Sequence, residues 1–556
     1  MQQEREPTAV DRIAEEWVDT TVDLHPEQAV YLGRPGHEGL FSDYSTDGLA
    51  ADEAAERALL RRLDAADAVD ESDAITKADL AREVALSIES RAAGLPLRDV
   101  NNIESPVQTI RDVFDLETTE TAEDWSRVTR RLGTVRAALD GYAERLLAGV
   151  RQGVVPARRQ VALAAGQARE FAAPDGFFAS MPERAERQGV VPPSLLAAVT
   201  AAARAAGEAY DRFAEVLEQQ VAPAASEHDA VGREPYALSS RRFLGATVDL
   251  DDTYEWGLAE LERMAAEQAE VARQIVPGGT VEDAIGALEQ DPAQRLDGTA
   301  ALQAWMQRLS DAAVEALGRT HFDIPEPVRT LECRIAPTHS GVIYYTPPAD
   351  DFSRPGRMWW SVPEGVERFT TWRETTTVYH EGVPGHHLQI ATALTNRSLN
   401  TWRRNAGTSG YWEGWALYAE RLMAELGYLD DPADRLGMLD GQRMRAARVV
   451  VDIGLHLGKR GPDGEVWTRD SALQLLRQHV HMDDAVLRFE VDRYAGWPGQ
   501  AASYKVGQRI WEDLRAESAR RAGADFDTAA FHRRALLLGG MGLDTLRGAL
   551  LDGIRP

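Results

Sequence analysis

The sequence predicts a mainly α protein: a large helical body interrupted by one short strand-forming region. Three observations predict it. Alanine, leucine, arginine and glutamate, which favour helix, fill long tracts whose apolar residues recur at helical intervals. One stretch, 321–362, breaks that pattern with six prolines set among β-branched and aromatic residues. No apolar run approaches the roughly 18 residues that would make a transmembrane span.

Taken in order, Ile13, Trp17, Val22, Ala29 and Leu32 follow helical spacing over 8–32, with a break near Pro26. The tracts 52–93 and 122–150 have strong helix composition, and 194–221 and 251–275 repeat it. Within 321–362, Arg334-Ile335 and Val342-Ile343-Tyr344-Tyr345 are expected as short strands. Helices are expected to resume at Val366, with 367–379 leading as a helix into the most informative segment of the chain. A division into an N-terminal helical part, 1–230, and a catalytic part, 231–556, fits this pattern. A single interleaved helical body fits it equally.

Bulk properties remove whole classes of function. The chain of 556 residues carries 89 acidic and 61 basic residues, a formal charge of −28. Such a balance argues against nucleic acid or an anionic membrane as partner. Cys333 is the sole cysteine, so neither an intrachain disulfide nor a cysteine zinc cluster can form. The opening MQQEREPTAVDRIAEEW is polar and acidic, unlike a secretion signal, and a cytoplasmic protein is expected.

The informative segment is Tyr379-His380-Glu381-Gly382-Val383-Pro384-Gly385-His386-His387-Leu388-Gln389. Zinc hydrolases pair two histidines four apart on one helical face with a glutamate base between them. Here Pro384 stands at the place of the second histidine, and two histidines follow Gly385. Proline removes a backbone donor and glycine is permissive, so the helix is expected to bulge or break there. A two-residue insertion moves the second ligand from i+4 to i+6, which is His386. His387, at i+7, faces the side of His380 on an unbroken helix but about 10 Å along it, and stays open as the alternative. Glu381 is placed to take a proton from metal-bound water. Zinc needs a third ligand from another element. Glu413 follows His386 by 27 positions in the helical segment GYWEGWALYAERLMAELGYL, where a carboxylate among tryptophans is costly to bury unless paired. Glu420 is the reserve candidate. His456, four residues after Asp452, is a candidate donor to an oxyanion, oriented by that carboxylate across one turn. Zn²⁺ is the expected cofactor, because two histidines, a glutamate and an open position suit it.

Four ordered motifs, HEGVPGHHLQ, EGWALYAERL, VVDIGLH and PGQAASYK after Arg493-Tyr494, resemble the bacterial family known as domain of unknown function 885. The opening HPEQAVYLGR fits the same pattern, so the resemblance covers nearly the whole chain. It implies kinship with zinc metallopeptidases of the Glu-zincin kind. The implied fold is similar to that of the thermostable carboxypeptidases: a helical body with a deep groove and a small β-sheet beside the active site. It also implies His386 as second ligand and supports Glu413 as third. Because related zinc peptidases place a late-helix tyrosine over the metal, Tyr504 and Tyr494 become candidates for that place. Arg493 and Lys505 are candidates to capture a substrate's terminal carboxylate, although Glu490, three residues before Arg493, offers an ordinary helical ion pair. The expected substrate is a short peptide. The alternatives are a metal-dependent hydrolase of a small non-peptide amide, and a helical binding protein without catalysis.

Overall fold

Short polar side chains start the helices. Thr8, Ser45, Asp70, Thr121, Thr280 and Thr408 each accept a hydrogen bond from a first-turn amide of the helix that follows. Thr121 and Asp124 complete a reciprocal capping box, and the helix they open, Ala122–Gln152, runs 31 residues before Gly153 ends it at φ 73°. The computed structural model of the chain describes residues 5–32, 34, 36–336 and 343–554. Among them the architecture is mainly α, with two small sheets. No helix among the described residues is long and apolar enough to cross a membrane.

Several expected elements stand where the sequence placed them. Ala9–Leu24 and Gln28–Leu32 flank Pro26, and Leu250–Ile275 and Pro193–Val216 are single helices. The tract 52–93 is instead two helices, Thr46–Ala65 and Glu71–Ala92, because Asp70 caps a new start. The helix expected over 367–379 is also corrected. Strand β5 (Arg368–Thr370) pairs antiparallel with β1 (Arg295–Asp297), and the helix begins only at Thr375. The second sheet has the order β2-β4-β3, with β2 (Leu331–Ile335) parallel and β3 (Ile343–Thr346) antiparallel to β4 (Gly356–Trp360). Val342, expected in the strand that became β3, lies outside the described residues.

Packing ties distant parts of the chain together. A core of Trp125, Tyr142, Tyr210 and Phe213 joins helices between residues 44 and 225. A larger one gathers Tyr411, Trp415, Tyr418 and Trp511 with helices up to residue 549, and it also includes Ile75. Near the start of the chain, Ile13, Leu59 and Leu80 pack with Trp402, and Asn400 donates to Asp11 at 3.0 Å. Asp79 accepts from the Gly542 amide at 3.0 Å and from the Thr545 hydroxyl at 2.8 Å. The β2-β4-β3 sheet backs the motif through Leu331, Met358 and Val378, the last of these two residues before His380. Cys333 is buried in the same cluster, which pushes its thiol up to about 12 and leaves it unreactive.

The helices Ser409–Glu425 and Gln500–Ala522 cross with backbone against backbone. A Cβ on Gly507 would lie 2.3 Å from the Gly410 carbonyl oxygen, and one on Gly414 would lie 2.5 Å from the Gly507 carbonyl carbon. Backbone meets backbone there, so no side chain can yield. Gly507→Ala is therefore expected to lower stability by about 1–3 kcal/mol, outweighing the roughly 1 kcal/mol that alanine adds as a better helix former. A urea-denaturation midpoint reads the difference; an unchanged or raised midpoint would show that the two helices can part freely.

Candidate metal centre

The motif begins as the helix Thr375–Glu381 and ends as the helix His386–Thr395, with Gly382-Val383-Pro384-Gly385 between them. The loop is compact because both glycines lack a Cβ. One on Gly385 would sit 1.9 Å from the His380 carbonyl oxygen, and one on Gly382 would sit 2.6 Å from that of Val378. The Gly385 amide bonds to Tyr379 O at 3.0 Å, and that of His387 to Gly382 O at 3.1 Å. The Trp415 indole donates to Pro384 O at 2.8 Å, fastening the loop to the helix that carries Glu413.

This break brings His386 back beside His380, with ring centroids 4.9 Å apart and planes nearly perpendicular. His380, Glu381 and His386 each offer a donor atom, all within 4.8 Å of one another. Glu413 Oε2 lies 3.3 Å from His380 Nε2 and 3.6 Å from His386 Nε2, yet it has no hydrogen-bond partner. Two imidazole nitrogens and two carboxylates thus surround one small volume. The other nitrogen of His380 is anchored: Nδ1 and Glu420 Oε1 are 2.7 Å apart. Glu420 Oε2 accepts from Gln442 at 2.9 Å, and Gln442 Oε1 accepts from Lys505 at 2.7 Å. Glu420, the reserve ligand in the sequence reading, is therefore turned to the far side of His380, where it fixes the tautomer and ring plane.

Electrostatics favour a cation at the centre. Burial alone would lower the pKa of His380, but Glu413 and Glu420 beside it hold it up to about 10. Burial opposes charge on Glu413 too, yet the two histidines hold its carboxyl well below the usual range. Burial raises the carboxyl of Glu381, against the pull of His380 and His386. Orphaned acceptors, imidazoles and clustered carboxylates match the donor set that zinc takes.

Of the two candidate second ligands, the structure brings only His386 into this cluster. His387 points the other way. Its Nε2 is 2.8 Å from Val328 O and its Nδ1 is 2.9 Å from the Tyr345 hydroxyl, and burial lowers its pKa to about 4.

The remaining candidates divide. Tyr504 lies one turn into the helix Gln500–Ala522, near enough to Glu413 that this carboxylate, after burial, is the next cause raising its pKa. Arg448 sits 5.1 Å over its ring. Tyr494 is corrected: its buried hydroxyl donates to Glu490 and accepts from Arg448 at 3.0 Å. Arg493 is corrected likewise, for it donates to Glu490 at 2.9 Å and to Gln500 at 2.6 Å, the helical ion pair its spacing offered. Lys505 is buried against Glu260 and Gln442. His456 is corrected as an oxyanion donor: its Nε2 is bound to Tyr494 O at 2.8 Å and its ring lies against Tyr236. Asp452, its supposed orienter, instead accepts from Tyr236 and from the Gly499 and Ala502 amides at the start of the tyrosine helix. Sequence reasoning missed this framework and the orienting role of Glu420. One signal was available: Glu413 and Glu420 are seven apart and share a helix face, so both could reach one histidine.

Two outcomes follow from this geometry. Glu420→Gln is expected to weaken zinc binding about 10–100-fold, the usual cost of disturbing a ligand's hydrogen-bonded partner, whereas His387→Ala leaves it unchanged. Competition titration with a chelating dye reads both, and equal losses would place His387 at the metal. Burial lowers the His456 pKa to about 4, despite its bond to Tyr494 O, against about 6.5 in an unfolded chain. The unfolded chain takes up that proton first, so this contribution is complete above pH 6.5 and declines as pH falls toward 4, by up to about 1.4 kcal/mol per unit. Urea midpoints at pH 7 and pH 5 should drop less in His456→Gln than in wild type; an identical drop would remove His456 from the account.

Comparison with known proteins adds the fold and the family. A protein from Colwellia psychrerythraea described as a "putative lipoprotein" aligns with a TM-score of 0.83 and 23% identity, over 98% of each chain. One from Shewanella oneidensis described as a "putative lipoprotein of unknown function" aligns with a TM-score of 0.76 and 17% identity, over 98% of this chain and 99% of that one. These likenesses show the fold alone. A "putative oligoendopeptidase F" from Bacillus anthracis aligns at a TM-score of 0.35 and 11% identity, over 93% of this chain and 96% of that one, too weakly to bear on the fold. No curated protein matches the chain. The family model for "Bacterial protein of unknown function (DUF885)" matches residues 26–550, and the chain belongs to that family.

Proposed function

We propose that the chain is a zinc-dependent peptidase that hydrolyses short peptides. The carrying observation is the convergence of His380 Nε2, His386 Nε2 and the orphaned Glu413 Oε2 on one point, with Glu381 beside it. His380, His386 and Glu413 would hold the ion. Bound zinc supplies Lewis acidity, which polarises a carbonyl and acidifies a water. Glu381 is the general base that receives the water's proton and passes it to the leaving amine. Glu420 holds His380 with Nε2 facing the centre. Tyr504 supplies a hydroxyl near Glu413, suited to donate to an oxyanion. The pairing of His-Glu with a later Gly-His and a downstream glutamate is what supports the Glu-zincin kinship. The Gly382–Gly385 loop explains how the pattern survives two added residues.

Elemental analysis of wild type, His386→Ala and Glu413→Ala tests the centre. About one zinc per chain is expected in wild type and much less in either variant. A peptide-library cleavage screen then tests the reaction, with Glu381→Gln expected to keep its zinc and lose about 10²–10⁴-fold in rate. Stoichiometric zinc without cleavage of any peptide would redirect the reading to a non-peptide amide. Wild type that takes up no zinc at neutral pH would sink both.

A further inference from the structure

A second polar feature lies outside the histidine cluster. A cavity of about 630 Å³ opens between the N-terminal helices and the starts of the two helices that carry Glu413 and Tyr504. Thr408 caps one of these and lines the cavity; Trp497 and Pro498, which precede the other, line it as well. None of His380, Glu381, His386 and Glu413 does.

Its charges are unusual for a chain so acidic. Arg98, Arg145 and Arg242 line it from three separate elements. Arg145 is only 6% exposed, and its Nε and Nη2 have no hydrogen-bond partner. Its guanidinium lies 5.0 Å from the Tyr142 ring and 5.9 Å from that of Tyr44, contacts that leave the edge donors bare. Among the described residues Arg98 and Arg242 form no ion pair, and Arg242 only flanks the Phe243 ring at 5.8 Å. A buried guanidinium with unused donors is costly unless an oxyanion meets it. The counter-charge within the cavity is incomplete. Glu83 and Asp99 also line the cavity. Of the other lining charges, Arg82 is paired with Asp79, Arg91 with Glu56 and Asp229 with Arg159.

We propose that this cavity binds a small carboxylate-bearing ligand, gripped by Arg98, Arg145 and Arg242. Three guanidiniums against two carboxyls leave a net positive charge for an oxyanion, and the paired N–H donors of a guanidinium match a planar carboxylate. The volume admits a ligand the size of a dipeptide or a small organic acid. The site stands independently of the metal reading.

Isothermal titration on the full chain tests it with four probes: N-acetyl-dialanine, its C-terminal amide, succinate and inorganic phosphate. N-acetyl-dialanine or succinate should bind wild type at one site and bind Arg145→Met and Arg242→Gln at least about tenfold more weakly. His386→Ala should bind as wild type does. Arg242 is exposed, so its variant guards against a folding defect at the buried Arg145. Binding of N-acetyl-dialanine but not its amide would identify a peptide terminus as the source of the carboxylate. Binding of succinate alone would identify a free organic acid. The proposal is overturned if no carboxylate binds or if phosphate alone binds. Affinity unchanged in both arginine variants would overturn it as well, as would loss of binding in His386→Ala.

Discussion

The clamp on His380 is the interaction from which the rest of the site takes its shape. Glu413 and Glu420 lie two turns apart on one helix face, and the histidine ring stands between them, its Nδ1 toward Glu420 and its Nε2 toward Glu413. Burying two carboxylates within a few ångströms is unfavourable unless cationic charge is shared among them. Behind them the polar chain runs through Glu420 and Gln442 to the buried Lys505, which is itself ion-paired to Glu260. His380 itself, held up to about 10 by these carboxylates, carries part of that charge, and His380, Glu381 and His386 could together hold a metal ion. A polar chain this complete inside a core fixes one arrangement and penalises others, which is what a centre of fixed geometry needs.

The clamp works only if the glutamate helix is held at one height and rotation relative to the motif. Two contacts do this. The glycine crossing at Gly410, Gly414 and Gly507 lets the helix of Tyr504 approach backbone to backbone, so Tyr504 and Glu413 come from adjacent first turns. The Trp415 indole, packed against Trp511 at 5.0 Å, reaches across to the Pro384 carbonyl and fixes the motif loop to the same helix. The Gly382–Gly385 loop therefore serves as the attachment point of the motif as well as its interruption.

The sequence disclosed chemistry better than direction. The helical class, the strands near 334 and 343 and the break at Pro26 were legible, as were His380, Glu381 and Glu413 as candidates, because each rests on local spacing or residue type. The side chains' outward partners were not. Whether His386 or His387 turns inward depends on the Gly382–Gly385 loop, whose path no periodicity describes. The segment 368–370 has helical neighbours but becomes a strand through pairing with 295–297, a contact across some seventy residues. Arg493 was a candidate for a substrate's terminal carboxylate, Tyr494 for a place over the metal, and His456 for an oxyanion donor oriented by Asp452. In the structure those motifs build the turn that starts the tyrosine helix: Asp452 takes the Gly499 and Ala502 amides, His456 holds Tyr494 O, and Arg493 binds Gln500. The Glu490–Arg493 spacing had offered the correct answer for one of them.

This framework also gives the arginine-lined cavity its place. Thr408 and Pro498 border the cavity, and Glu413 and Tyr504 follow them by five and six residues. At about 1.5 Å of rise per residue, each is roughly 7–9 Å along its helix from that border. Both helices thus begin at the border of the cavity and bring their next turn to the histidine cluster. A shift of either helix moves both sites together, and the glycine crossing that forbids such a shift keeps the two in register.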